Sequence, residues 1–328
     1  MKQITYARAI NEALSEEMAK DESVILLGHA LSSGGVHNIT VGLAGRFGDY
    51  RVLDMIPSEE AAVEAALGMA MTGAKPIVRI DGKYLLRCLD VLANQAALTD
   101  YMYNSQYNSS MVICADVGAD EFGGAQMNSL LEAAFVGIPG LVVLYPSCAQ
   151  DAKALLKSAV RFNGPVLFLE GRRLYDEVSD IPEAFELTQP IGKAETILRG
   201  SDVSVITYGE TVNICKEACE KLKEHSISCE LIDLRTLYPM DSSAIIRSVK
   251  KTGKAVIVHE AYKTAGVGAE ISALISESAA FDYLDAPILR VCAEDMPVGY
   301  SKEMREAVLP DVSDIYAAIM QTVQKEDQ

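Results

Sequence analysis

The chain reads as an α/β protein built from two doubly wound domains, each a parallel sheet covered by helices on both faces. Three observations predict this. Short apolar runs of strand length alternate with helical patterns along most of the 328 residues, which is the pattern of parallel sheets. The rhythm breaks between Gly171 and Gly192, where Pro182, Pro190 and several acidic residues show no clear period. The length also exceeds what one core comfortably holds. We therefore expect domains at residues 1–185 and 186–328, with a linker at the break.

The elements follow in order. The spacing of Ala9, Leu14 and Met18 predicts an amphipathic helix over Thr5–Lys20, with Glu12, Glu16, Glu17 and Lys20 off the apolar face. Val24–Leu27 reads as a strand running into Gly28-His29 and a Gly/Ser loop, and loops at strand ends are where open α/β sheets place ligands. A short helix is expected over Thr40–Phe47, then a strand at Val52–Met55 and a small-residue helix over Glu59–Met71. Ser58 is the expected N-cap of that helix. Further strands are expected at Lys75–Ile80, Met111–Ala115, Leu141–Tyr145 and Pro165–Leu169. Helices are expected over Tyr84–Leu98, Ser129–Val136 (capped by Asn128) and Ala149–Val160. A second alternating unit follows from Val203, with strands near 203, 229, 255 and 287 and a closing helix over Val312–Gln324.

Composition narrows the function. Hydrophobic residues make up 49% and charged residues 23%, an ordinary globular balance. The formal net charge of −17, with no Lys/Arg run, argues against nucleic acid as a partner. The seven cysteines form no Cys-x-x-Cys pair and read as buried thiols in a reducing compartment. The four histidines show no zinc spacing, so no metal site is expected on this chain. No leader pattern and no run of about 20 apolar residues is visible, so a cytoplasmic protein off the membrane is expected.

Chemistry-bearing motifs are sparse. There is no P-loop, no Gly-x-Gly-x-x-Gly after the first strand and no Gly-x-Ser-x-Gly elbow. Gly266-Val267-Gly268 reads as a packing feature, and the acidic residues of the 116–121 loop read as solvated. What remains is a set at strand ends: His29, Glu59, Tyr84 and the loop Gly123–Met127. Glu59 is open to two readings. It is a dipole-matched carboxylate at a helix start, or a group held there to handle a proton. Tyr84 is a core residue or a platform for a flat ring.

The order and wording of the segments resemble the β subunit of the thiamine-diphosphate-dependent E1 component of 2-oxo acid dehydrogenases (pyruvate, branched-chain or acetoin type). That subunit is itself similar to the C-terminal part of transketolase. The matching wording includes Ala9-Ile10-Asn11-Glu12-Ala13-Leu14, Arg46-Phe47-Gly48, Pro57-Ser58-Glu59 and Gly137-Ile138-Pro139-Gly140-Leu141. It continues with Val205-Ile206-Thr207-Tyr208-Gly209, Ile232-Asp233-Leu234-Arg235-Thr236-Leu237 and Ala307-Val308-Leu309-Pro310. The resemblance implies a pyrimidine-binding domain followed by a transketolase C-terminal-like domain. It places Glu59 on the family's glutamate that hydrogen-bonds a nitrogen of the cofactor's aminopyrimidine. A carboxyl there favours the imino tautomer that removes the thiazolium C2 proton. Glu59, Tyr84 and Ile80 are the implied cofactor-binding residues, with Glu59 and His29 as catalytic candidates.

Two departures stand out. Met127 takes the place of a family histidine and cannot transfer a proton. His29 stands where the family tends to carry an acidic residue. The expectation is that His29 replaces the missing imidazole in part or serves a different substrate. The resemblance also implies a separate α subunit that holds Mg²⁺ and the diphosphate, an α2β2 heterotetramer, and self-association through the C-terminal domain. An acyltransferase E2 partner and a structural K⁺ occur in some relatives. The implied reaction is cleavage of a C–C bond next to a carbonyl, namely 2-oxo acid decarboxylation with acyl transfer. The alternatives are a split transketolase-like or acyloin-type carboligase subunit, and a non-catalytic scaffold.

Overall fold

A computed structural model describes residues 1–119, 123–128, 130–182 and 186–324. The chain divides into two compact units, one formed by residues 1–117 and 134–191, the other by residues 118–133 and 192–328.

The first unit opens with β1 (Lys2–Thr5) and α1 (Tyr6–Lys20). Thr5 caps α1, its Oγ1 accepting from the Arg8 N–H at 3.2 Å. Next come β2 (Val24–Gly28), α2 (Leu43–Phe47), β3 (Val52–Asp54), α3 (Glu59–Met71) and β4 (Lys75–Ile80). They are followed by α4 (Thr99–Met102), β5 (Met111–Val117), α5 (Ala133–Val136), β6 (Val142–Leu144), α6 (Ala149–Val160), β7 (Pro165–Gly171) and β8 (Val178–Ile181). Six strands hydrogen-bond in the order β6-β7-β5-β4-β2-β3, all parallel. The chain leaves β2 to one side for β3 and returns to its other side for β4. That reversal opens a crevice at the carboxyl ends of β2 and β4.

The apolar face of α1 (Ile10, Ala13, Leu14, Met18) packs with Leu155, Leu156 and Ala159 of α6 in the core. Its glutamates are not left to solvent. Arg161 pairs with Glu17 at 2.6 Å, and the buried Lys157 pairs with Glu16 at 2.9 Å. The small residues of α3 (Ala62, Ala66, Ala70) let it lie close on β4.

Several local expectations are corrected. Ser58 precedes α3 with an extended backbone, as an N-cap residue does, but its hydroxyl makes no cap bond to the first turn. The expected helix over Tyr84–Leu98 is a 3₁₀ stretch at Gly82–Cys88 followed by a π-helix at Val91–Ala96. The segment read as a linker contains β8, which pairs antiparallel with β1. Both are short edge strands whose pairing lies far apart in sequence, so neither shows a local period. Asn128 donates to the Gly123 carbonyl at 3.1 Å, the helix expected from Ser129 begins only at Ala133 as α5, and Ser129 itself lies outside the described residues.

In the second unit, β9 (Glu195–Leu198), β10 (Val203–Thr207), β11 (Cys229–Asp233), β13 (Ala255–Tyr262) and β14 (Leu289–Ala293) form a sheet in the order β14-β13-β10-β11-β9; a short strand, β12 (Thr236–Tyr238), lies between β11 and β13 in the chain. Only β9 runs antiparallel in that sheet. The helices are α7 (Thr211–Leu222), α8 (Ser242–Thr252), α9 (Val267–Ser276), α10 (Lys302–Glu306) and α11 (Val312–Val323). Gly266 and Gly268 are packing glycines. A Cβ at Gly266 would lie 2.3 Å from the Tyr262 carbonyl, and one at Gly268 would lie 2.6 Å from His259 Nε2.

Candidate active site

A cavity of about 180 Å³ opens at the β2/β4 crevice of the first unit. Its lining brings together all four sequence-predicted site residues, His29, Glu59, Ile80 and Tyr84. Local rules explain why. β2 ends in Gly28, where a Cβ would sit 2.6 Å from the Arg79 carbonyl, so only glycine lets the two strand ends approach and deliver His29 to the rim. Glu59 is the first residue of α3, half-buried, with the helix N-terminus favouring its negative charge. Ile80 closes β4 and is buried. Tyr84 lies in the 3₁₀ stretch with Lys83 Nζ at 4.9 Å and Arg87 Cζ at 4.7 Å from its ring centroid, so cations already engage the aromatic ring.

His29 is exposed and has a charged neighbour. The Asp54 carboxyl is held below its ordinary value first by the Ser32 hydroxyl, with the Ser32 N–H and His29 adding to the effect. Residues 123–127, including Met127, belong to the second unit.

Sequence reasoning missed the floor of this cavity. Arg79 forms a bidentate pair with Glu170, at 2.8 and 2.7 Å, and Tyr175 donates to the same carboxylate at 2.8 Å. Burial opposes the Arg79 charge, but Glu170 outweighs it and raises the guanidinium pKa. Burial, reinforced by Glu170, pushes the Tyr175 hydroxyl well above its usual range. Asp116, read as part of a solvated loop, is instead 6% exposed at the end of β5. It accepts from Arg172 Nε at 2.6 Å and from the Gly82 N–H at 3.0 Å. Gly82 is obligatory here, since a Cβ would come within 1.7 Å of the Asp116 carbonyl. The other acidic residues of that loop, Asp120 and Glu121, lie outside the described residues. The ring of His37 lies tilted by 32° against that of Tyr175, the centroids 4.4 Å apart. One signal was available: Arg79 and Glu170 interrupt otherwise apolar parallel strands, where a charge needs a buried partner.

Among the described residues no group of three or more His, Cys, Asp or Glu is placed to hold a metal ion. Nor is any helix among them long and apolar enough to cross a membrane. A carboxylate, an apolar wall and a half-buried tyrosine around a small crevice suit a flat ring bearing nitrogens.

An open α/β sheet with a ligand-sized crevice at its topological switch point defines a broad class of small-molecule-binding proteins. Comparison with known proteins narrows it. Residues 2–177 match the transketolase pyrimidine binding domain, and residues 192–315 match the transketolase C-terminal domain. The chain is 39% identical to the mitochondrial pyruvate dehydrogenase E1 component subunit beta of Saccharomyces cerevisiae, covering 98% of this chain and 89% of the relative. It is 37% identical to the 2-oxoisovalerate dehydrogenase subunit beta of Bacillus subtilis, covering 97% and 98%. A split-gene transketolase solved as an inactive beta4 tetramer shares the fold, with a TM-score of 0.80 and 21% identity over 98% of each chain. The chain belongs to the transketolase-like family of 2-oxo acid dehydrogenase E1 β subunits, a thiamine-diphosphate-dependent family.

Proposed function

We propose that this chain is the β half of a thiamine-diphosphate-dependent enzyme that cleaves the C–C bond next to the carbonyl of a 2-oxo acid and passes on the acyl group. The observation that carries the reading is Glu59 at the wall of the switch-point cavity, beside Ile80 and Tyr84. When bound, the cofactor supplies an electron sink for the carbon left when the C–C bond breaks. Glu59 would share a proton with a nitrogen of the aminopyrimidine ring. Ile80 would exclude water from that proton, and Tyr84 would close the side of the pocket. His29, at the rim beside Asp54, is positioned to exchange a proton with the substrate.

With the domains taken as residues 1–185 and 186–328, the first grips the pyrimidine and the second carries self-association. The proposed assembly is an α2β2 heterotetramer in which a separate α subunit holds Mg²⁺ and the diphosphate. The relatives, each a beta subunit by name, support a partner chain. An acyltransferase E2 as acyl acceptor and a structural K⁺ belong to the same proposal. We place the enzyme in the cytoplasm, where its seven free thiols stay reduced.

The test is co-expression with candidate α subunits, followed by calorimetric titration of the complex with thiamine diphosphate and Mg²⁺. Release of CO₂ from pyruvate and from branched-chain 2-oxo acids is then measured. Tight cofactor binding by the complex, and weak binding by the β chain, is the expected result. A stable αβ complex that never binds the cofactor overturns the reading and leaves a scaffold subunit. Turnover of sugar phosphates with no release of CO₂ moves it to the carboligase class.

A further inference from the structure

A second cavity, of about 390 Å³, lies in the first unit at the amino ends of β5 and β7, the sheet edge opposite the switch-point crevice. It shares no lining residue with the first cavity. Leu98, Tyr101, Pro139 and Phe162 give it apolar and aromatic walls. One part of the lining is fixed by close packing. Gly140, at φ 90°, lies so near residue 97 that a Cβ would sit 2.3 Å from the Ala97 carbonyl oxygen.

Polar side chains line the cavity as well, and three of them keep donors unspent. Ser110 accounts for two. Its N–H donates to Asn108 Oδ1 at 2.8 Å. Its hydroxyl accepts from the Gly164 N–H at 3.1 Å and shares its proton between Asn108 Oδ1 at 2.6 Å and Asn163 Oδ1 at 3.2 Å. A backbone N–H can bond only the oxygen of an amide, so Asn108 is held one way round, with its Nδ2 turned from Ser110. Neither asparagine Nδ2 makes a hydrogen bond among the described residues. Ser109 is only 3% exposed, yet its hydroxyl also has no partner among them. A hydroxyl so deeply buried and unbonded is uncommon, and it lines a cavity from which a partner could come. Asp100 is the one charged side chain of the lining among the described residues.

We propose that this cavity binds an uncharged, planar nitrogen heterocycle of nucleobase to nucleoside size. The Phe162 and Tyr101 rings offer faces for stacking, and Tyr101, 88% exposed, is free to settle on a ligand. The Asn108 and Asn163 amides donate to ring nitrogens or carbonyl oxygens, as amide side chains do to base edges. The Ser109 hydroxyl supplies a third bond, and the Asp100 carboxylate accepts from an amino group. With no cation in the lining, one carboxylate and a net charge of −17, the site rejects phosphate and carboxylate groups. That sets it apart from a site for a diphosphate or a 2-oxo acid.

The inference does not depend on the proposed enzymatic activity, and its test needs neither cofactor nor α subunit. The full chain is titrated by calorimetry and saturation-transfer NMR with adenosine, uridine and nicotinamide. Each is paired with its phosphate-bearing counterpart, AMP, UMP or nicotinamide mononucleotide. The expected result is saturable binding of at least one uncharged probe, with its counterpart weaker by about tenfold or more. Tyr101→Ala should weaken that binding by about 5- to 150-fold. Ser109→Ala should weaken it by about 2- to 10-fold. Both variants should melt no lower than the parent, because the Tyr101 ring is exposed and the Ser109 hydroxyl bonds nothing within the chain. Glu59→Gln, in the other cavity, should leave the binding unchanged. No saturable binding of any uncharged probe overturns the proposal. So does equal affinity for the phosphate-bearing forms, or binding that survives Tyr101→Ala and is lost in Glu59→Gln.

Discussion

The carboxyl edge of the first sheet and that of the second both carry ionisable side chains, and they use them differently. At the ends of β2 and β4, the buried pairs Arg79–Glu170 and Arg172–Asp116 form a rigid floor, and His29, Glu59 and Tyr84 line the space above it, while Lys83 pairs with Asp81. At the ends of β10 and β13, the polar groups turn on one another. Tyr208 donates to Glu132 at 3.0 Å and its ring stacks on His259. His259 Nε2 accepts from the Gly268 N–H at 3.1 Å and faces the Cys292 thiol at 3.3 Å, while Nδ1 meets the Ala261 carbonyl at 3.1 Å. That set fixes one neutral tautomer, and burial lowers the imidazole to about 4. Topology alone therefore does not make a site. A strand edge becomes one where its charges are pinned below a cavity and some polar groups remain unspent.

The strongest way to break this contrast is at the first edge. Glu59→Gln keeps the shape of the cavity wall but loses the shared proton. Turnover of the assembled enzyme should fall by about 10²–10⁴-fold while thermal unfolding stays unchanged. A variant with near-normal kcat would return Glu59 to the role of a helix-start carboxylate.

The floor is tested next. Arg79→Ala strands the buried Glu170 carboxylate and should cost about 3–5 kcal/mol in urea unfolding. A double change of Arg79 and Glu170 to Met and Leu should cost much less, because no charge is left unpaired.

The second edge makes a pH prediction. Burial raises Glu132 from 4.5 to about 7, opposed by its backbone and Tyr208 bonds and reinforced by Glu260. Between those values the unfolded chain has lost the proton and the folded chain keeps it. Stability present below pH 4.5 is therefore lost as pH rises to about 7. His259 works oppositely: its folded value of about 4 lies below 6.5, so stability present above pH 6.5 is lost as pH falls to about 4. The two slopes, each about 1.4 kcal/mol per pH unit, oppose one another from pH 4.5 to 6.5. Glu132→Gln should expose the His259 slope alone, with stability rising steadily across that window in urea titrations. A flat profile in the variant would show that His259 is not held neutral.

Gly268→Ala drives a Cβ onto His259 and should cost about 1–3 kcal/mol by thermal unfolding. The smallest effect is expected at Ser58. With no cap bond to lose, Ser58→Ala should change stability by less than about 0.5 kcal/mol. Asp241→Ala, which removes a cap accepting from the Ala244 N–H at 3.1 Å, should cost about 1 kcal/mol.

Most of the fold was legible because its signals are local. The strand at Lys75–Ile80 and the helix at Glu59–Met71 stand where apolar period and helix-start chemistry put them. Strand ends and family wording mark His29, Glu59, Ile80 and Tyr84 in the sequence, and the four line one cavity. β1 and β8 escaped because each is stabilised by the other across the chain rather than by its own period.

The sequence by itself determined most of the strands and helices that carry their own period and the order in which they come, since side-chain period acts over a few residues. Only the tertiary structure decided which charges meet. Glu17 finds Arg161 across 144 residues and Arg79 finds Glu170 across 91. Each charge reads the same in the sequence whether it faces water or a partner, and only packing removes the water and brings the partner within bonding distance.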